Sequence, residues 1–150
     1  MEGKDEAEFA RLRALEVKHG RIAMLAVVGY LTTEAGVRWD AAIDYDGVMY
    51  SDMPSGFAAL SALPPLGKLQ VFLTVFFLEV GVMVDKTGEA EFDGDFRNGF
   101  DFGWDKQTDA WKERKRTIEL NQGRAAMMGI LGLVSLTIIY SMTVGPRTLF

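Results

Sequence analysis

Three apolar runs separated by two polar, glycine-containing connectors set the pattern of the chain. The first lies between about Leu12 and Ala35, with IAMLAVVGYL as its uninterrupted part and Lys18, His19 and Arg21 near its start. The second, Leu66 to Val84, follows the helix-breaking pair Pro64-Pro65, stops before Asp85 and carries Glu79 within it. The third begins around Ala110, gains polar first turns from WKERKRTIELNQGR and meets its stop signal at Gly145-Pro146. From Ala125 to Val144 it runs without a charge, enough at about 1.5 Å per residue to cross a hydrocarbon core of roughly 30 Å. The pattern therefore predicts an all-α membrane protein. Its three transmembrane helices, over about 12–35, 66–84 and 110–143, would form a single domain spanning 1–150.

Composition alone, 49% hydrophobic and 25% charged, would describe a soluble domain, but the segregation of those residues overrides the average. A net charge of -5 argues against nucleic-acid binding, which needs a concentrated basic face. The absence of cysteine removes disulfides, thiolate zinc sites and cysteine nucleophiles together. The N-terminus MEGKDEAEFARLR is polar where a signal peptide would be apolar, so a targeting segment is expected to be absent from this sequence or already removed. Orientation follows from the basic flanks. Lys4, Arg11 and Arg13 precede the first span, and Lys86, Arg97, Lys106, Lys112, Arg114, Lys115 and Arg116 lie between the second and third. Arg38 and Lys68 lie between the first and second, and Arg147 follows the third. The N-terminus and the second connector are thus expected on the insertion side, with the first connector and the C-terminus opposite. Asp40, Asp44, Asp46 and Asp52 make the first connector acidic, as in a solvated loop.

An internal repeat carries the chemistry. Arg13, Glu16, Gly20, Arg21, Ala23, Met24 and Gly29 recur in register, 103 positions later, as Arg116, Glu119, Gly123, Arg124, Ala126, Met127 and Gly132. The first and third helices are thereby expected to be related by duplication and to cross around a pseudo-twofold axis. The matched small residues would let their backbones approach closely in lipid. Glu16 and Arg21 stand about 140° apart around one helix at about 100° per residue, so they do not easily pair with each other. Across the axis, Glu16 is expected to meet Arg124 and Glu119 to meet Arg21, which lowers the cost of placing each charge in a membrane. Such pairs fit two roles: a lock between helices, or a lock whose free carboxylate oxygen binds a hard divalent metal such as magnesium.

His19, the sole histidine, lies three residues after Glu16 and corresponds in the repeat to Gln122. A lone histidine is often structural, but two neutral lone-pair donors at equivalent positions also suit a pair of metal ligands. Glu79 has no basic residue within two turns in its own segment, so it should be protonated, neutralised by another segment or bound to a metal. Gln70, on the same helix, fits an interfacial residue as well as a ligand. The stripe Phe72, Phe76 and Phe77 reads as a lipid-facing or packing surface. No nucleophile pattern accompanies His19, so an enzyme is not expected.

At these residues the sequence resembles the light-harvesting chlorophyll-binding superfamily, whose first and third membrane helices carry E-x-x-[H/N]-G-R-x-A-M. EVKHGRIAMLAVVGY, GDFRNGFDFGWD and ERKRTIELNQGRAAMMGILG resemble in particular the fucoxanthin- or peridinin-binding chlorophyll a/c antenna proteins of algae with red-lineage plastids. The likeness extends from about Glu8 to about Gly132. It implies axial binding of chlorophyll magnesium by Glu16, His19, Glu79, Glu119 and Gln122, with Arg21 and Arg124 completing the glutamate sites; Gln70 stands beside them as a further cofactor-binding candidate. It also implies chlorophyll a, chlorophyll c and carotenoids: fucoxanthin or peridinin, with a diadinoxanthin-like xanthophyll. The implied setting is a plastid thylakoid membrane with a stromal N-terminus, among thylakoid lipids, other antenna subunits and a photosystem I or II core. Excitation transfer to a photosystem is the implied function, with a photoprotective, energy-dissipating relative as the alternative and a small membrane transporter as a more distant one. The sequence departs from the family where Gln122 replaces the usual asparagine, and where VSLTIIYSM offers Ser135 and Thr137 instead of a further Gln or His ligand. After the third span only GPRTLF follows, where green-lineage members carry an amphipathic helix.

Overall fold

The structure, a computed structural model, describes residues 2–56, 58–88 and 90–144. The stop signal Gly145-Pro146, Arg147 and the rest of GPRTLF lie outside the described residues. Four α-helices form among them: α1 (Glu2–Glu34), α2 (Ala58–Ala62), α3 (Pro65–Phe77) and α4 (Asp109–Val144). A 3-10 turn occupies Tyr50–Asp52 and a single π-helical turn, Leu78–Val82, extends α3.

α1 begins well ahead of the apolar run, because Asp5 and Glu6 near its start suit the positive end of the helix dipole and no proline interrupts the polar turns. It ends where Gly36 takes a left-handed conformation, φ +77°, with the Val37 amide donating to the Thr32 carbonyl at 3.2 Å. α3 starts on Pro65, whose missing N–H costs nothing at the first position of a helix. The π turn closes with the Met83 amide on the Leu78 carbonyl at 2.7 Å, a bond spanning five residues where the α-helix spans four. α4 is 36 residues long, about 54 Å at 1.5 Å per residue.

Pro65–Val82 and Asp109–Tyr140 are long and apolar enough to cross a membrane. α1 has the length, at 33 residues, but Glu16, Lys18 and Arg21 interrupt its apolar character. The helices turn their large apolar side chains outward: Leu25, Val28, Phe72, Phe76, Leu131 and Ile139 are all exposed. Among the described residues, Ala23 and Ile43 are the buried hydrophobic ones. A water-soluble protein of this size would not leave so much apolar surface open.

The chain divides into two compact units. One comprises Met1–Met24 and Thr74–Met127; the other comprises Leu25–Leu73 and Met128–Phe150. In the second unit the hydroxyls of Tyr30 and Thr137 share a hydrogen bond between α1 and α4. Gly67 packs α3 against Ile43 and Leu63 so closely that an added Cβ would lie 3.1 Å from each. Arg38 fastens the first connector by donating to the Thr33 carbonyl at 2.7 Å and to that of Met53 at 3.4 Å. Asp44 is consumed locally, accepting the amides of Asp46 and Val48 at 3.1 and 3.3 Å, as expected of a solvated acidic loop.

Candidate functional site

The chemistry gathers in the first unit, where α1 meets α4 at Gly20 and Gly123. A Cβ built on Gly20 would stand 3.0 Å from the Cα of Gly123, and one on Gly123 would stand 2.9 Å from the Cα of Gly20. No side chain fits on either residue without parting the helices. This contact brings the repeated charges within reach of each other. Arg21 Nε donates to Glu119 Oε1 at 2.6 Å and Arg124 Nε donates to Glu16 Oε1 at 2.7 Å. The reciprocal exchange expected from the repeat is therefore present, and each carboxylate spends one oxygen on its arginine. Beside both lies a groove of about 270 Å³, lined among others by Glu16, Gly20, Phe92, Arg116, Glu119 and Gly123.

The two pairs are not equivalent. Arg21 also donates through Nη1 to the Gly94 carbonyl at 2.6 Å and stands 5.8 Å from the centroid of Phe96. Its side chain is 31% exposed, against 55% for Arg124. Gly94 has φ +86°, and a Cβ there would lie 3.1 Å from Val17 Cγ1 and 3.2 Å from Arg21 Nη1. Sequence reasoning missed Gly94; the positive-φ requirement is visible only once the connector is folded onto Arg21.

Asp95 fixes the connector at that point. Its buried carboxylate accepts Arg97 Nε and Nη2 at 2.9 and 2.7 Å, and the amides of Glu91 and Arg97 at 3.2 Å each. The hydrogen bond from Arg97 leads in lowering the Asp95 pKa from 3.8 to about 2, against the opposing effect of burial. The same pair pushes Arg97 further up. Trp104 Nε1 donates to Glu91 Oε2 at 2.7 Å, and this bond leads in holding Glu91 below the usual carboxylate range. Asp85 is lowered mainly by the Gly88 amide, at 2.9 Å.

The remaining sequence-predicted residues fall as follows. His19 is exposed and its Nδ1 lies 2.7 Å from the Leu15 carbonyl. A carbonyl only accepts, so Nδ1 is the donor in this contact, and in the neutral ring the lone pair lies on Nε2. Gln122 is exposed on α4. Glu79 sits in the π turn and its Oε2 is paired with the Lys18 ammonium, so the neutralising group comes from another segment. Gln70, exposed on α3, belongs to the second unit. From the sequence alone Lys18 has no role beyond its place near the start of the first apolar run, although its repeat counterpart, Asn121, is neutral and marks a break in the duplication. Among the described residues no three His, Cys, Asp or Glu side chains gather as a metal cage. Any metal held at these positions would take one protein donor apiece and bring its other ligands with it.

The chlorophyll A-B binding protein model matches residues 2–138. The chain belongs to that family. It is 58% identical over 131 residues to fucoxanthin-chlorophyll a-c binding protein B, chloroplastic, of Phaeodactylum tricornutum, covering 87% of this chain and 66% of that protein. Identity is 53% over 134 residues to the fucoxanthin-chlorophyll a-c binding protein of Trieres chinensis, with the same two coverages. It is 47% over 133 residues to fucoxanthin-chlorophyll a-c binding protein D of Macrocystis pyrifera, covering 87% of this chain and 72% of that protein. The chain thus spans just under two thirds of the length of the Phaeodactylum relative.

Proposed function

We propose that the chain is a light-harvesting antenna protein that holds chlorophyll a, chlorophyll c and fucoxanthin in the thylakoid membrane and passes excitation to a photosystem. The observation that carries this reading is the pair of reciprocal ion pairs at the Gly20–Gly123 contact, where each glutamate keeps one oxygen clear of its arginine. A chlorophyll magnesium already holds four ring nitrogens, so it needs a single axial atom from the protein. The donors suit that requirement: Glu16 and Glu119 through the second carboxylate oxygen, His19 through Nε2, Gln122 through its amide oxygen and Glu79 through Oε1. Gln70 on α3 is assigned as a further pigment contact. The names of the relatives, which pair fucoxanthin with chlorophyll a-c, favour fucoxanthin over peridinin.

The bound pigments supply absorption and excitation transfer; the chain supplies spacing, orientation and an apolar surround. The ion pairs hold α1 and α4 rigidly, so donors on the two helices keep fixed separations. The first turns of α1, the connector before α4 and the polar first turns of α4 together carry most of the basic residues and are assigned to the stromal side, where other antenna subunits and a photosystem core are the partners.

Purified protein, its pigments extracted and separated by chromatography, should yield chlorophyll a, chlorophyll c and fucoxanthin in fixed ratio to polypeptide. Excitation into the fucoxanthin or chlorophyll c bands should produce chlorophyll a fluorescence. A protein that binds no chlorophyll would overturn the reading. A strongly shortened chlorophyll lifetime in the isolated protein would assign it to dissipation instead of delivery.

A further inference from the structure

Glu79 stands apart from the duplicated design. It has no counterpart in the repeat, and the residue that meets it, Lys18, aligns with the neutral Asn121. Lys18 follows Glu16 by two residues, which places it about 160° around α1 from that carboxylate and directs it away from the Glu16–Arg124 pair. The π turn meets it from the other side. By admitting one extra residue between Leu78 and Met83, it offsets Glu79 from the apolar register of α3. One lysine and one local change of helix geometry, each without a counterpart in the repeat, thus converge on one carboxylate within an apolar run.

An ammonium is a point charge that takes a single carboxylate oxygen, as Arg21 and Arg124 also do here, each through Nε alone. Here Nζ takes Oε2, and Oε1 makes no hydrogen bond among the described residues. An unpaired carboxylate in a membrane helix would be costly, and one fully occupied by a cation would be a poor ligand. Lys18 satisfies both conditions.

We propose that Lys18 is the positioning residue of a third charge-compensated site. Its ammonium offsets the Glu79 charge, holds Oε2 and thereby presents Oε1 as the axial donor to a magnesium tetrapyrrole. The inference rests on the light-harvesting reading and deepens it, because it assigns this pigment to a lysine–glutamate pair between α1 and the π turn. The two arginine-paired sites do not depend on that pair.

Pigment stoichiometry per polypeptide, visible circular dichroism and far-ultraviolet circular dichroism of the reconstituted full chain test it. Lys18→Met should lose one chlorophyll per chain, the same one lost in Glu79→Leu, while far-ultraviolet dichroism keeps the helical signal. Lys18→Arg, which restores a cation, should recover that chlorophyll at least in part. Should Lys18→Met fail to assemble, Lys18→Met with Glu79→Gln should assemble again, because a neutral amide needs no compensating charge and still offers an oxygen. Full pigment retention in Lys18→Met, or equal loss from every site, would overturn the proposal, as would a double variant no better than Lys18→Met. A loss of one chlorophyll in Glu79→Leu with none in Lys18→Met would refute the role of Lys18 and leave the antenna reading intact. A wild-type chain without chlorophyll would instead refute the antenna reading.

Discussion

Arg21 and Arg124 occupy equivalent places in the repeat, yet Arg21 serves two acceptors, Glu119 and the Gly94 carbonyl, while Arg124 serves Glu16 alone among the described residues. Removing either arginine leaves its partner carboxylate uncompensated, which destabilises the helix contact. A hydrogen-bond acceptor left without its donor adds about 1–3 kcal/mol when it is shut off from water. Arg21→Leu should therefore destabilise assembly more than Arg124→Leu, and the difference should appear as a lower midpoint of thermal pigment release in the Arg21 variant. Equal midpoints would mean that the Gly94 carbonyl finds another donor at no cost. The reciprocal pairing itself was legible in the sequence, since five residues of helix separate each glutamate from the arginine of its own motif and the repeat supplies the alternative. The inequality was not legible, because it depends on a backbone carbonyl 73 positions away from Arg21.

The elements show the same division between what periodicity carries and what it does not. The apolar runs mark α3 and α4 because hydrophobic length is itself the physical requirement for crossing a bilayer. The polar first turns of α1 and the π turn leave no such mark, since an α-helix and a π turn differ locally by one residue. The second connector shows in the sequence only as a polar, glycine-containing stretch, yet its Asp95–Arg97 pair gives it a fixed shape against α1. The Asp95 carboxyl is depressed from 3.8 to about 2 in the fold, so its contribution is complete above 3.8 and falls away as pH drops toward 2. Trp104, whose ring lies tilted 5.5 Å from that of Phe92 and which donates to Glu91, reports on this connector. Its fluorescence, in a Trp39→Phe and Trp111→Phe background, should stay native to about pH 4 and change as pH approaches 2, whereas Asp95→Asn should show the altered signal already at pH 7. Gly94→Ala should act through the same element. A left-handed alanine costs about 1–2 kcal/mol, and its Cβ would press on Arg21 Nη1. The expected outcome is loss of the pigment proposed on Glu119 with the one proposed on Glu16 kept, read from the pigment stoichiometry and visible dichroism; loss of both would show that the connector braces the whole helix contact.

For the molecule as a whole, the decisive quantity is how little the chain buries by itself. Leu25, Val28, Phe72, Phe76, Leu131 and Ile139 face outward, and lipid gives helices no hydrophobic reason to associate. Among the described residues, the contacts that join the helices include the Gly20–Gly123 contact, two arginine–glutamate pairs, the Lys18–Glu79 pair and the Tyr30–Thr137 hydrogen bond. Ligands that bind the assembled form and not the separated helices add their binding free energy to its stability. Pigments held by donors on α1, on α4 and at Glu79 would satisfy that condition, filling grooves and covering outward side chains. Removal of pigment should therefore abolish assembly, not merely bleach the protein. On heating in mild detergent, the visible dichroism of the pigments and the far-ultraviolet signal of the helices should change in one coincident transition, and the pigment-depleted chain should lack that transition and show reduced helicity. Two well-separated transitions, with pigment leaving first and the helical signal persisting at full strength, would show that the glycine contact and the ion pairs suffice on their own.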